Sequence, residues 1–314
     1  MSDSKSKLYV PIMKFKQGEY FALRDLKPET KEFVYPLFEI MPIPWDYENE
    51  EPAKSLDAHL SKVTANIANN WEGRPFMLDF RFITEDQCNA MPPHPIITLA
   101  EEAKDAGLHL VPVLSLNSPE CLKNAVRDVA ASLGHGIALR IVGDDFDNPL
   151  LDADIESLYN TRLGLQPNQV DIIVDLGQIP ADGLTPLIVG MRNLMRMIPP
   201  EPWRSLSMVA SAFPENLSAI PSGRGKLISR GEWKLWQGLV APKLLRREPN
   251  FGDYTIVHPN PFEMDPRVMR SGAKIKYTTQ EDWLVLKGKD LRNNGFVQYR
   301  DLAQQITELE YYCG

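Results

Sequence analysis

The chain has 314 residues, 43% of them hydrophobic and 24% charged, with a net charge of −8. That length and apolar content supply a sizeable core, and the acidic balance argues against general nucleic-acid binding. Cys88, Cys121 and Cys313 lie too far apart to form a disulfide framework, and no apolar run approaches the ~20 residues of a bilayer span. The first seven residues lack an apolar signal core, so a soluble cytoplasmic protein is expected.

Residues 8–23 read as two short strands around Gln17-Gly18, a β-hairpin that rims or plugs the rest of the fold. Eight short apolar runs come next, each ending on a polar or charged residue. They are Phe33 to Glu39, Phe76 to Arg81, His109 to Ser115, Gly136 to Arg140, Val170 to Asp175, Leu206 to Ser211, Gly252 to His258 and Ala273 to Lys276. Helix-like stretches separate them. One opens near Leu56 after an acidic first loop, and one runs from Ser118-Pro119-Glu120 to Gly134. Two more span Asp152 to Leu163 and Asp182 to Met197. The sixth unit carries a basic glycine-containing loop, Pro221 to Lys226, before Arg230-Gly-Glu-Trp-Lys-Leu-Trp. Trp283 to Gly288 reads as an added strand and Val297 to Tyr312 as a closing helix. Alternating strands and helices predict parallel βα units. Eight of them predict an α/β fold, a closed TIM-like (β/α)8 barrel forming a single domain over 1–314.

Side chains alternate along a strand, and the helix-covered outside of a barrel takes the apolar face. Phe76, Leu78 and Phe80 therefore point outward, and Asp79 and Arg81 inward. The same parity turns Glu39, Arg140, Asp175, Ser211 and Lys276 into the lumen. The seventh run is ambiguous, since Asp253 with Thr255 and Tyr254 with His258 are both plausible inward sets. The mouth is thus expected to hold three acids, Glu39, Asp79 and Asp175, with three bases, Arg81, Arg140 and Lys276. Buried charges must pair, bind a ligand or stay wet. The acids suit acid–base catalysis or a magnesium ion, and the bases suit clamping of an anion, with Ser211 and Arg230 as further ligand contacts. Lys276 could also form a Schiff base, against the simpler reading that it balances nearby acids. No zinc signature links the five histidines, and Gly223-Arg-Gly-Lys226 lacks the full phosphate-loop pattern.

Residues 220–300 hold 15 Lys/Arg against 8 Asp/Glu, so the late units are basic within an acidic chain. A solvated face and an anion site both account for that. Trp233 and Trp236 share a helical face and serve either core packing or a stacking platform.

The opening from Tyr9 to Leu23, with Pro36-Leu-Phe-Glu-Ile, resembles the beta protein family of phages and bacteria. Arg140-Ile, Asp175-Leu, Ser211-Ala-Phe-Pro, Arg230-Gly-Glu-Trp, Gly252-Asp-Tyr and Lys276-Tyr-Thr resemble its later blocks, so the likeness runs along nearly the whole chain. Lys276 stands where many members have arginine, which weighs against an essential Schiff-base lysine. The resemblance implies a role in phage–host conflict, in defence or counter-defence, without supplying a reaction. The expected function is binding of an anionic phosphate-containing ligand, a nucleotide or nucleic-acid end, at the barrel mouth. Phosphodiesterase-type hydrolysis would be its chemistry. The competing expectation is a noncatalytic interaction subunit or inhibitor whose lumen charges pair internally. Under the first, Arg140→Ala removes ligand binding and preserves the fold.

Overall fold

The computed structural model describes residues 8–89, 92–261, 272–310 and 312. Tyr9–Lys14 (β1) alternates Val10 and Ile12 toward a central lumen with Tyr9, Pro11 and Met13 away from it. It is followed by a helix, Gln17–Arg24 (α1), whose first turn carries Glu19. The expected hairpin over 8–23 is therefore replaced by a complete βα unit. Gln17-Gly18 starts a helix instead of turning a strand back, and Leu23 buries on its inner face.

Twelve further strands follow. They are Leu37–Glu39 (β2), Trp45–Asp46 (β3), Glu51–Pro52 (β4), Phe76–Asp79 (β5), Leu110–Ser115 (β6), Ile137–Val142 (β7) and Val170–Gln178 (β8). Ser205–Ser211 (β9), Arg224–Ser229 (β10), Asn250–Asp253 (β11), Gly272–Thr278 (β12) and Asp282–Asp290 (β13) complete the set. The main helices after α1 are Val63–Trp71 (α2), Pro95–Asp105 (α3), Glu120–Leu133 (α4), Leu151–Glu156 (α5), Thr185–Met197 (α6), Gly231–Val240 (α7) and Gln298–Thr307 (α8). Gly134 ends α4 in the left-handed region at φ 68°, which glycine enters without a Cβ penalty.

Eight parallel strands close a barrel in the order β1-β11-β9-β8-β7-β6-β5-β2. The predicted (β/α)8 architecture is present, with a different assignment of its strands. β1 fills the place between β11 and β2, pairing in parallel with both. The run at Ala273 belongs to β12 instead. With β10 and β13 it forms a separate antiparallel sheet in the order β10-β13-β12. Alternation alone cannot tell a barrel strand from a strand of a side sheet, because both present one apolar face. The added strand at Trp283 is β13. The closing helix α8 packs on β12 and β13, burying Leu302 and Ile306 with Leu284 and Leu286.

Two apolar layers hold the barrel. Outside, Phe38, Phe76, Leu78, Leu139, Ile172, Val174 and Met208 meet the helices, and Trp283 and Val285 of β13 join the same core. Inside, Val10, Ile12, Leu37, Met77, Val111, Val113, Ala138, Ile173 and Val209 fill the lumen. Burying a Val, Leu, Ile or Met side chain contributes ~1.5–3 kcal/mol. This plug seals the lower lumen and confines polar groups to its ends. At the lower end Asp171 is clamped by Arg204 at 2.7 and 3.0 Å, by Ser205 at 2.7 Å and by Tyr35 at 2.9 Å. The upper end is the carboxyl end of the strands, where barrel ligands bind.

Candidate functional site

Strand register builds the upper layer. Lys14, Glu39 and Asp79 end β1, β2 and β5 and are lateral partners in one row. Arg140 extends from β7, on the opposite wall, and all five of its N–H groups are engaged. Nε and Nη2 donate to Asp175 Oδ2 at 2.8 and 2.6 Å, and Nη1 to Glu39 Oε1 at 2.9 Å and Asp79 Oδ2 at 2.5 Å. Nη2 also donates to the Tyr254 hydroxyl at 2.6 Å. Tyr254 donates its own hydroxyl proton to Asp175 Oδ2 at 2.6 Å.

The remaining carboxylate oxygens are also satisfied. Glu39 Oε2 accepts from Lys14, whose ammonium is capped by the Pro259 carbonyl. Asp79 Oδ1 accepts the Arg81 backbone N–H at 2.8 Å, and Asp175 Oδ1 accepts that of Gly177 at 2.9 Å. Arg81 Nη1 reaches Glu39 Oε1 at 3.2 Å with its side chain 32% exposed, whereas Arg140 is 1% exposed.

Three acids thus meet three bases and neutralise one another. Burial opposes charge on Arg140, but Tyr254, Asp175, Glu39 and Asp79 outweigh it and hold the guanidinium above its ordinary value. Burial would raise Asp175, yet Arg140, Tyr254 and the Gly177 N–H keep it below the usual carboxylate range. Lys14 is pushed down by burial, which Glu39 only partly offsets. Among the described residues no group of three or more His, Cys, Asp or Glu side chains is arranged to hold a metal ion. Glu39, Asp79 and Asp175 converge on Arg140, so a magnesium ion between them would have to displace that guanidinium.

Of the six charges expected in the lumen, five gather there. Lys276 does not, and Lys14 takes its place. The signal for Lys14 was the same as for the others, an apolar alternating run ending on a charge, hidden by the reading of 8–23 as a hairpin. The ambiguous β11 resolves with Tyr254 inward and Asp253 outward. Gly252 explains the fit: a Cβ there would lie 2.6 Å from the Val10 carbonyl oxygen and from Val209 Cγ2. Ser211 is fully buried, accepts the Phe213 N–H at 3.1 Å and meets the Val257 carbonyl at 3.4 Å, so it fixes a loop instead of facing a ligand. Arg230 caps α7 outside the barrel, 3.4 Å from Glu232 and 3.8 Å from Asp253.

Lys276 stands on the antiparallel sheet beside the mouth. Its Nζ donates to the Ile256 carbonyl at 2.5 Å, in the loop after β11, and lies 4.3 Å from the Phe213 ring centre. Burial, then the neighbouring Lys274, push it down to about 8 against the pull of Glu19. Register sets its companions. Arg224, Lys287 and Lys274 stand abreast on β10, β13 and β12, and Lys226, Val285 and Lys276 form the next row of the same face. Five cations therefore share one sheet face, and none forms an ion pair with an acid among the described residues. Like charges directly opposite across strands destabilise a sheet. Among the described residues, no helix is long and apolar enough to cross a membrane.

No curated protein sequence matches the chain. Among solved structures, it is similar to 3-keto-L-gulonate-6-phosphate decarboxylase from Vibrio cholerae O1 biovar El Tor, at 16% identity and a TM-score of 0.33. That match covers 67% of this chain and 81% of the other. A protein from Aquifex aeolicus VF5 matches at 12% identity and a TM-score of 0.28, covering 61% and 80%. The family model described as "Beta protein" matches residues 9–314, so the Tyr9–Lys14 strand, the paired lumen and the basic side sheet all fall within it. The chain belongs to the beta protein family.

Proposed function

We propose that the protein binds an anionic, phosphate-containing ligand at the carboxyl end of its barrel, on the basic face of the β10-β13-β12 sheet. The observation that carries this reading is the two rows of cations without an acid partner among the described residues, Arg224, Lys287 and Lys274 above Lys226 and Lys276, held abreast by strand register. Keeping like charges side by side costs stability, which a polyanion would offset. Arg81, the exposed member of the lumen layer, extends the positive surface toward the mouth. The reading is one of binding: all six carboxylate oxygens of Glu39, Asp79 and Asp175 are engaged, which leaves none to activate water. We place the activity in phage–host conflict because the family occurs in phages and bacterial mobile regions.

A protein partner is the second reading. It is favoured by the self-neutralised lumen and by Phe296 and Val297, which are 74% and 76% exposed before α8. Inorganic tripolyphosphate separates the two. Titration calorimetry should show saturable binding that weakens as salt rises, because exposed charges are screened. The triple variant Arg224→Glu, Lys226→Glu, Lys274→Glu should lose at least ~10-fold in affinity, equivalent to ~1.4 kcal/mol. Equal affinity in that variant, or no binding by the unmodified protein, rules out the phosphate reading.

A further inference from the structure

A slot runs along the outside of β1 and β11, between α1 and α7. Its volume is about 1010 Å³, at the upper end for small-molecule sites. Tyr9 and Phe251 form the floor, Trp233 and Trp236 one wall, and Gly18, Glu19 and Ala22 of α1 the other. The two tryptophans stack at 5.2 Å and 18°, and Phe251 meets them edge-on at 5.0 and 5.9 Å.

Two polar atoms on residues lining this apolar slot lack hydrogen-bond partners among the described residues. Trp233 Nε1 and Thr255 Oγ1 are buried without a hydrogen bond, whereas Arg230 Nε is ion-paired with Glu232 Oε1 at 3.4 Å. Each is on a residue that lines the slot, and each can donate. Thr255 also has φ 57°, a left-handed conformation that β-branched residues rarely adopt and that clusters at functional sites. It is held there by its N–H donating to Asp253 Oδ1 at 2.8 Å. Tyr9 donates to the same oxygen at 2.6 Å. A buried donor without an acceptor is costly, and a ligand bearing acceptors would satisfy Trp233 Nε1 and Thr255 Oγ1.

The slot touches the edge of the sheet that carries the five cations. Thr278 and Trp283 line the slot, and they are cross-strand partners on β12 and β13. Alternate residues of a strand share a face at ~7 Å intervals. From Thr278 the same face therefore steps to Lys276 and then Lys274, and from Trp283 to Val285 and Lys287, with Lys226 and Arg224 beside them. An aromatic slot thus borders the sheet face on which the two rows of cations stand, with Val285 and Trp283 buried between their strands.

We infer that the ligand is a nucleotide, its base inserted between α1 and α7 against Trp233 and Trp236 and its phosphates laid along the basic sheet face. This rests on the phosphate reading and assigns the remainder of the ligand. A base offers ring nitrogens and carbonyl oxygens to Trp233 Nε1 and Thr255 Oγ1, and a π face to the indoles. Base–aromatic stacking is worth ~1–3 kcal/mol by alanine substitution, or roughly 5- to 150-fold in affinity.

Calorimetry with ATP, GTP and inorganic tripolyphosphate on the full chain tests it. At least one nucleotide should bind ~10-fold or more tightly than tripolyphosphate, within the stacking range. Trp233→Ala should bring that nucleotide down to the level of tripolyphosphate while leaving tripolyphosphate affinity unchanged, which also reports that the sheet remains folded. Trp233→Phe should restore part of the difference. If tripolyphosphate and both nucleotides bind alike, or if Trp233→Ala weakens all three equally, the base slot is refuted and the phosphate site stands. If none of the three binds, both fail.

Discussion

Replacing Arg140 with alanine is expected to destabilise the barrel by ~3–5 kcal/mol or to abolish folding, because it strands buried carboxylates without their shared cation. The guanidinium ties β7 to β2, β5, β8 and the Tyr254 segment after β11 through five hydrogen bonds. Removing it leaves Glu39, Asp79 and Asp175 facing only Lys14 and Arg81, with Asp79 Oδ2 and Asp175 Oδ2 losing their charged donor. This reverses the expectation that Arg140→Ala spares the fold and removes a ligand: every N–H is already used within the protein. Arg81→Ala is the informative comparison. Its contact with Glu39 is longer and partly exposed, and such pairs contribute ~0–1 kcal/mol. Urea denaturation followed by circular dichroism should therefore rank the variants with Arg140→Ala far below Arg81→Ala. Equal midpoints for Arg140→Ala and the unmodified protein would overturn the account of the lumen.

Much of that layer is legible in the amino-acid sequence. Parity identifies Glu39, Asp79, Arg140 and Asp175 as inward, because Phe76, Leu78, Leu139, Ile172 and Val174 mark the helix-covered side. Two features escape it. Lys14 is hidden by Gln17-Gly18, which reads as a turn in isolation and is the first turn of α1 in the fold. Lys276 is misplaced because β12 alternates like a barrel strand, and strand period carries no information about which sheet a strand joins. The basic excess over 220–300 is visible as composition. Its meaning is not, since Arg224 and Lys274 are fifty residues apart in sequence and share a row only through β13. Nor can the slot be read: Tyr9, Glu19, Trp233, Asp253 and Thr278 come from separate parts of the chain. Local parity is written in the sequence, and long-range register is not.

The second large effect is a dependence of stability on pH centred on Glu232. This residue is fully buried at the first turn of α7, with Oε2 accepting the Ala212 N–H at 3.2 Å and Oε1 lacking a hydrogen bond among the described residues. Burial, with nearby Asp253, raises its carboxyl from 4.5 to about 7, against hydrogen bonds and the 3.4 Å approach of Arg230. A folded value above the unfolded one means that the folded state holds the proton more tightly. The stabilisation is therefore fully present below pH 4.5 and is lost as pH rises through 7. The span corresponds to ~3 kcal/mol at most. Asp253, raised by burial as well, adds to the same slope above its ordinary 3.8. Asp175 acts in the opposite sense and only below 3.8, and Lys276 only between about 8 and 10.5, so neither masks the window. Glu232→Gln mimics the protonated carboxyl and should remove the share of the slope that Glu232 contributes. The shares of Glu19, Asp145 and Asp253, raised by burial, and of His59, His94 and His109, lowered by burial from 6.5, remain. Its unfolding free energy, measured in urea from pH 5 to pH 8, should gain on the unmodified protein steadily and exceed it at the upper end. Parallel curves for the two proteins would show that Glu232 ionises in the fold as readily as in the unfolded chain, and the electrostatic description of the first turn of α7 would be wrong.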